Sequence, residues 1–365
     1  LCIISELYVQ KRGALKVAKN IRFGITAPVP GESVEGLIRF AKTAEDAGFD
    51  TLWFPDHIVF MANRITPEVW SVVTAAAMVT GKIRMGTVGD AHRMHPAVFA
   101  HRLATVDRIS NGRIFVCVGY GEKMNLDPYG IAWDRPLTRV EESIKIMRAL
   151  WSGGPVNFDG EIYKLKDAEL RIEPVNDKRV PIYVAATGPR ALRIAGKYGD
   201  GWVTNAMPPR LFAEKARAVG EGAREREDGS AGPEKTLYIF TSIAGSKDEA
   251  YKSLEPVKHA LIWPELLAQA GYDIKIDDEY KGLEYTKIMP NDTGMLKRFR
   301  EMGDKYYSRE IVFDFVAAGS VRDVIGRLEE YAGTGVDHFI VRDFSPDREA
   351  SMEILSGEII PYFRR

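Results

Sequence analysis

The stretch Ile21–His57, IRFGITAPVPGESVEGLIRFAKTAEDAGFDTLWFPDH, contains the unit on which the chain is built. Ile21–Thr26 is β-rich, Val34–Ala47 carries apolar residues at helical spacing, and Thr51–Phe54 is β-rich again. The same succession then recurs. Thr51–Phe54 leads into Pro67–Thr80, Ile83–Val88 into Pro96–Ile109, and Arg113–Val118 into Pro136–Leu150. Pro181–Ala186 precedes Pro189–Tyr198, and Gly201–Thr204 precedes Leu211–Ala223. Leu237–Ala244 opens a seventh unit, and Asp337–Arg342 with Pro346–Tyr362 closes an eighth. Eight βα repeats predict an α/β fold of the (β/α)8 TIM-barrel type. A doubly wound sheet shares the alternation and stays as the alternative, but no dinucleotide fingerprint follows the first strand, which favours the barrel.

One stretch breaks the rhythm. From about residue 255 to 307 the sequence is mixed, charged and aromatic without a clear strand, and it reads as an insertion after the seventh strand, either a lid or an interface element. Residues 1–20 read as an N-terminal extension, and 21–365 as a single barrel domain. Leu1–Ile4 is apolar but Glu6 and Lys11 follow at once, which is not the charge order of a signal peptide.

Composition narrows the function. The 50 basic and 51 acidic residues nearly cancel, and no basic run is interleaved with aromatics, so a nucleic-acid partner is not expected. No run is long and apolar enough for a membrane span. Cys2 and Cys117 stand far apart, which suits a reducing, cytoplasmic compartment, and Cys117 lies in an apolar run that reads as core. A small-molecule ligand is the expected partner.

In such barrels the chemistry sits at the carboxyl ends of the strands, and four ends are polar. After Thr51–Phe54 come Asp56 and His57, a carboxylate beside an imidazole that can exchange a proton near neutral pH. The plainer reading is a helix-capping Asp with an incidental His. After Ile83–Val88 come Gly89, Asp90, His92 and His95, with His101 further on. These imidazoles admit a metal reading, yet no convincing carboxylate or thiolate joins them, and a polar loop capping the helix from Pro96 fits as well; no metal is expected. After Arg113–Val118 come Gly119, Tyr120, Gly121 and Glu122, where two glycines let backbone approach a ligand and Glu122 supplies a carboxylate. The third glycine of a dinucleotide motif would fall on Met124, so that motif fails. After Pro181–Ala186 come Thr187, Gly188 and Pro189, either a phosphate-holding helix start or an ordinary tight turn.

Several segments together resemble the luciferase-like superfamily, in its branch that uses the deazaflavin coenzyme F420 in place of FMN. They are Ala44–Phe49, Asp56-His57, Ser110–Arg113, Gly119–Glu122, Trp151–Gly153 and Ala185–Pro189. Asp127–Trp133 with Arg135-Pro136 looks especially like the phthiodiolone ketoreductases and the 5,10-methylenetetrahydromethanopterin reductases. The resemblance implies a barrel of the bacterial-luciferase type, a homodimer or higher homo-oligomer, and F420 (FMN as the alternative) with its ring in the barrel mouth. It implies catalytic roles for His57, Glu122 and Asp56. It implies cofactor contacts from Asp56, His57, Thr87, Val88, Gly89, Gly119, Tyr120, Gly121, Glu122, Ala185, Ala186, Thr187, Gly188 and Pro189, with a non-prolyl cis peptide matched at Thr87-Val88. Where related alcohol and sugar-phosphate dehydrogenases carry a Trp four residues after the His, this chain has Met61. The basic residues that hold a sugar phosphate have no clear matches either, Asp314 standing near one such position, and both substrate classes become less expected.

The function implied is hydride transfer between reduced deazaflavin and a methylene-tetrahydromethanopterin-like or ketone substrate, with His57 or Glu122 handling the proton. An FMN-dependent monooxygenase and a non-catalytic flavin-binding barrel are the competing readings.

Overall fold

The computed structural model describes residues 20–29, 31–60, 65–177, 179–227 and 229–364. Apart from Asn20, the expected N-terminal extension lies outside these residues, as does Met61. The chain forms strands β1 (Arg22–Thr26), β2 (Thr51–Pro55), β3 (Arg84–Asp90) and β4 (Ile114–Gly119), then a hairpin of β5 (Val156–Asp159) and β6 (Lys164–Ala168). There follow β7 (Ile182–Ala185), β8 (Gly201–Thr204), β9 (Glu234–Ile243), β10 (Val316–Gly319) and β11 (His338–Asp343). Without β5, β6 and β10, the strands close a barrel of eight parallel strands, β11 returning to β1 and β8 pairing with β9. This is the (β/α)8 barrel expected from the repeats.

Side chains fill the barrel. Trp53, Phe115, Cys117, Tyr183, Val203 and Ile340 form the inner plug, with the Trp53 ring 4.3 Å from Phe115 and 5.3 Å from Tyr183. Rings of this size fit because glycines face them. A Cβ at Gly86 would lie 2.1 Å from the Phe115 carbonyl oxygen, and one at Gly201 would lie 2.0 Å from the Tyr183 ring.

Beneath the plug, at the amino ends of the strands, a polar network ties five strands together. The Glu234 carboxylate accepts from Arg22 Nε at 2.6 Å and from the Tyr183 hydroxyl at 2.6 Å, and lies 3.4 Å from His338 Nδ1. His338 Nε2 and Trp53 Nε1 each lie 2.8 Å from Thr51 Oγ1. Burial works against the Glu234 charge, but His338, Arg22 and Tyr183 more than offset it and hold the carboxyl at about 2.

The sequence reading differs from the structure in three places. The hairpin β5–β6 was missed, although Asp159-Gly160 between short alternating runs is a turn signal. The seventh strand begins earlier than Leu237 and is ten residues long, which lets it serve two neighbours: Glu234–Leu237 pairs with β8 and Phe240–Ile243 with β10. Finally, the irregular stretch is helical, with Lys258–Leu261, Pro264–Gln269 and Thr293–Tyr306 as its helices, and it leads through Arg309–Phe315 to β10. Val257, Ala260, Leu261, Trp263, Tyr285 and Thr286 from this stretch wall the cavity at the barrel mouth.

Candidate active site

The carboxyl ends of the strands surround a cavity of about 390 Å³. Of the residues expected to contact the cofactor, Asp56, His57, Val88, Gly89, Gly119, Tyr120, Gly121, Glu122, Ala185, Ala186 and Thr187 line it. Three do not. Val88 packs on the inner plug, so strand alternation turns Thr87 to the opposite face, where it is fully buried. Gly188 and Pro189 instead begin the helix Pro189–Tyr198 as N-cap and first residue.

Asp56 and His57 leave the end of β2 with different partners. Arg93 Nη2 lies 2.8 Å from Asp56 Oδ2 and its Nε 2.7 Å from Asp90 Oδ2, so one guanidinium spans the ends of β2 and β3. Burial nevertheless raises the Asp56 carboxyl, against the pull of Arg93. His57 faces the other way. Its Nδ1 is 3.0 Å from Asn125 Nδ2 and 3.4 Å from Glu122 Oε2.

Asn125 was not singled out in the sequence, yet it organises this corner. The amide oxygen accepts from the backbone N–H groups of Ile58 at 2.7 Å and Val59 at 3.2 Å. With the oxygen so engaged, the NH2 group must face His57 and Glu122, and a donor there makes His57 Nδ1 an acceptor. The ring proton therefore sits on Nε2. The signal was local: a short 3-10 turn, Lys123–Asn125, follows Glu122 and brings Asn125 back beside it.

The two titrating groups are driven in opposite directions. Burial, with Arg93 and Arg342 adding repulsion, lowers His57 to about 4. Burial and the neighbouring Asp90 charge raise Glu122 to about 7, with Arg93 and Asn125 compensating in part. Near neutrality the imidazole is uncharged and Glu122 is about half protonated.

The motif Asp127–Trp133 supports the glycine-containing loop from behind. A turn at Asp127–Tyr129 ends on Gly130 at φ 68°, and the Trp133 indole donates to the Tyr120 carbonyl at 2.7 Å. The histidines after β3 have separate fates. His95 caps the helix Pro96–Ser110 by accepting from Ala97 N–H, His101 is exposed, and His92 is buried away from the cavity lining, its ring nitrogens without a partner among the described residues. Among the described residues no three His, Cys, Asp or Glu side chains are grouped to share an ion. Also among them, no helix is long and apolar enough to cross a membrane. Burial raises the Cys117 thiol, which is inert core.

A closed (β/α)8 barrel whose strand ends converge on one partly polar cavity defines an enzyme-type architecture. The chain belongs to the luciferase-like monooxygenase family, whose sequence profile matches residues 19–338. It is 29% identical to the 5,10-methylenetetrahydromethanopterin reductase of Archaeoglobus fulgidus over 346 residues, 93% of this chain and 99% of that one. It is also 29% identical to the F420-dependent glucose-6-phosphate dehydrogenase of Beutenbergia cavernae, over 94% of this chain and 98% of that one. Among solved structures, an F420-dependent secondary alcohol dehydrogenase in complex with an F420–acetone adduct superposes with a TM-score of 0.78 at 26% identity, covering 94% and 99% of the two chains.

Proposed function

We propose that this protein is an F420-dependent oxidoreductase that transfers a hydride between reduced deazaflavin and a ketone or methylene-tetrahydromethanopterin-like substrate. The observation that carries the reading is a buried carboxyl, Glu122, raised to about 7 beside a neutral His57 at the wall of an apolar cavity.

The lining fits a flat ring system. Gly89, Gly119 and Ala185 approach closely, for a Cβ on Gly119 would meet the Gly89 carbonyl at 3.3 Å and the Ala185 methyl at 3.4 Å. Thr26, two residues beyond Gly24 on the inward face of β1, lines the cavity with a buried hydroxyl that has no partner among the described residues. Such orphans are costly unless a ligand satisfies them. When bound, the deazaflavin supplies two-electron hydride chemistry.

This chain's own residues then manage position and proton. Arg93 holds Asp56, and Asn125 holds His57 with Nε2–H as its free donor. Glu122 delivers the proton, to the carbonyl oxygen of a ketone or the departing nitrogen of a methylene pterin, because its pKa lies near the operating pH whereas His57 stays neutral. Asp314, which departs from the sugar-phosphate pattern, pairs with Arg210 and Arg327, and this disfavours a sugar phosphate.

The test is to follow the absorbance of reduced F420 on mixing with enzyme and either methylene-tetrahydromethanopterin or a panel of ketones. Oxidation of the cofactor without oxygen is expected. Tight FMN binding with oxygen consumption and no response to F420 would instead identify a monooxygenase.

A further inference from the structure

Arg342 is the sole Lys or Arg among the described residues lining the mouth cavity. It follows His338 and Ile340 on the inward face of β11, so it stands one layer above the aromatic plug, opposite Phe240 of β9. Tyr238, Tyr285 and Phe344 line the same region, with the guanidinium 5.7 Å above the Phe344 ring. Among the described residues no carboxylate forms an ion pair with it. The Tyr238 hydroxyl is the leading influence that keeps it charged, with a smaller contribution from Tyr285.

Other arginines of this protein are treated differently. Arg93 at the same mouth has two carboxylates, and Arg210 and Arg309, which do not line the cavity, each have one, Asp314 and Asp248. A guanidinium set into an apolar, aromatic wall without a counter-charge is costly, and the cost is recovered when an anion arrives. Its planar fork suits a carboxylate. The position is also close enough to the reacting groups for its charge to act on both His57 and Tyr285.

We infer that Arg342 is the receptor for an anionic oxygen of the molecule entering this cavity, and that the substrate is an apolar or aromatic compound bearing a carboxylate. The inference rests on the hydride-transfer reading for the identity of the reacting partner, but the anion site does not depend on it. Oxyanions of the cofactor share the same chemistry, and the experiment separates the two sources.

Binding of 3-phenylpropionate and of its uncharged amide is measured by tryptophan fluorescence on wild type, Arg342→Lys and Arg342→Gln, with no cofactor present. F420 is titrated against the same three proteins. Wild type is expected to prefer the acid over the amide by roughly tenfold to a hundredfold. Arg342→Gln should abolish that preference and Arg342→Lys should keep part of it, with F420 affinity unchanged in both. Loss of at least tenfold in F420 affinity in Arg342→Gln, with acid and amide binding alike to wild type, would keep the anion site but assign it to the cofactor, overturning the substrate half. No acid preference in wild type together with unchanged F420 affinity in the variants would overturn the whole inference, and the wild-type comparison stands even if Arg342→Gln fails to fold. An intact acid preference in a protein that never oxidises reduced F420 would break the hydride-transfer reading alone.

Discussion

The two ends of the barrel each bury a glutamate, and the surroundings drive them in opposite directions. Glu234, at the amino ends of the strands, has Arg22, Tyr183 and His338 around it and is held at about 2. Glu122, at the carboxyl ends, has one amide donor at 3.4 Å and a repelling Asp90, and is raised to about 7. Burial opposes the charge in both. What separates them is the supply of donors: a fully partnered carboxylate is fixed as a structural ion, whereas an under-partnered one keeps a movable proton. The molecule therefore sorts two identical side chains into scaffold and chemistry by what surrounds them.

The largest effect expected from breaking this contrast is on turnover. Glu122→Gln removes the movable proton but keeps the shape, and should lower the rate of reduced-F420 oxidation by roughly 10²–10⁴-fold while F420 binding persists. Retained turnover would remove Glu122 from the proton path. Next comes Glu234→Gln, which takes the carboxylate away from the half-buried Arg22 and from the buried His338. It should cost about 1.5–3 kcal/mol in urea unfolding, since solvent reaches Arg22, with activity per folded molecule unchanged. A loss of activity without loss of stability would mean that the lower network is not merely scaffold.

The pH dependence sharpens the contrast further, because the two carboxyls link to folding with opposite sign. Glu122 is raised from 4.5 to about 7, so its contribution is fully present below 4.5 and is lost as pH rises through 7. Glu122→Gln should therefore gain stability relative to wild type from pH 5 to 8, by an amount on the order of 3 kcal/mol in the ligand-free protein. Glu234 is lowered from 4.5 to about 2, so its stabilisation is present above 4.5 and fades as pH falls towards 2. The penalty of Glu234→Gln should shrink over that acid range. Parallel pH profiles for the two variants would contradict the assigned pKa directions. In the reductive direction, wild-type turnover should also fall as pH rises through about 7, a limb that Glu122→Gln lacks.

Asn125 sets a smaller effect. Asn125→Ala leaves Glu122 in place but frees the His57 ring, and roughly a tenfold loss of turnover is expected. The distinguishing measurement is the ¹⁵N shift of His57, which should report protonation at Nε2 in wild type and a mixture of tautomers in the variant. An unchanged tautomer would leave Asn125 as a loop anchor through Ile58 and Val59.

Much of this was legible in the sequence because barrels repeat. The strand-end rule brought Asp56, His57 and Glu122 to one cavity without coordinates, and the β-rich runs gave the strands to within a few residues. Asn125 and Arg342 were missed for a shared reason. Asn125 acts through an amide orientation fixed by two backbone donors, and Arg342 is defined by the lack of a carboxylate partner among the described residues; neither condition is written in local pattern. Thr87 was placed at the cavity by resemblance, but alternation along β3 turns its side chain outward.

Thr87 and Thr26 offer the smallest and cleanest test of the same principle. Both hydroxyls are buried and without a partner among the described residues, but Thr26 lines the cavity and Thr87 does not. Replacing either with Val removes an unsatisfied hydroxyl, and each change should stabilise the ligand-free protein by about 1 kcal/mol. Only Thr26→Val should weaken F420 binding, by several-fold, because only that hydroxyl lies on the inward face, where a partner can reach it when the cavity fills. If Thr87→Val weakens the cofactor to the same degree, the outward face of β3 is communicating with the site, and the division between scaffold and chemistry is less sharp than the two glutamates suggest.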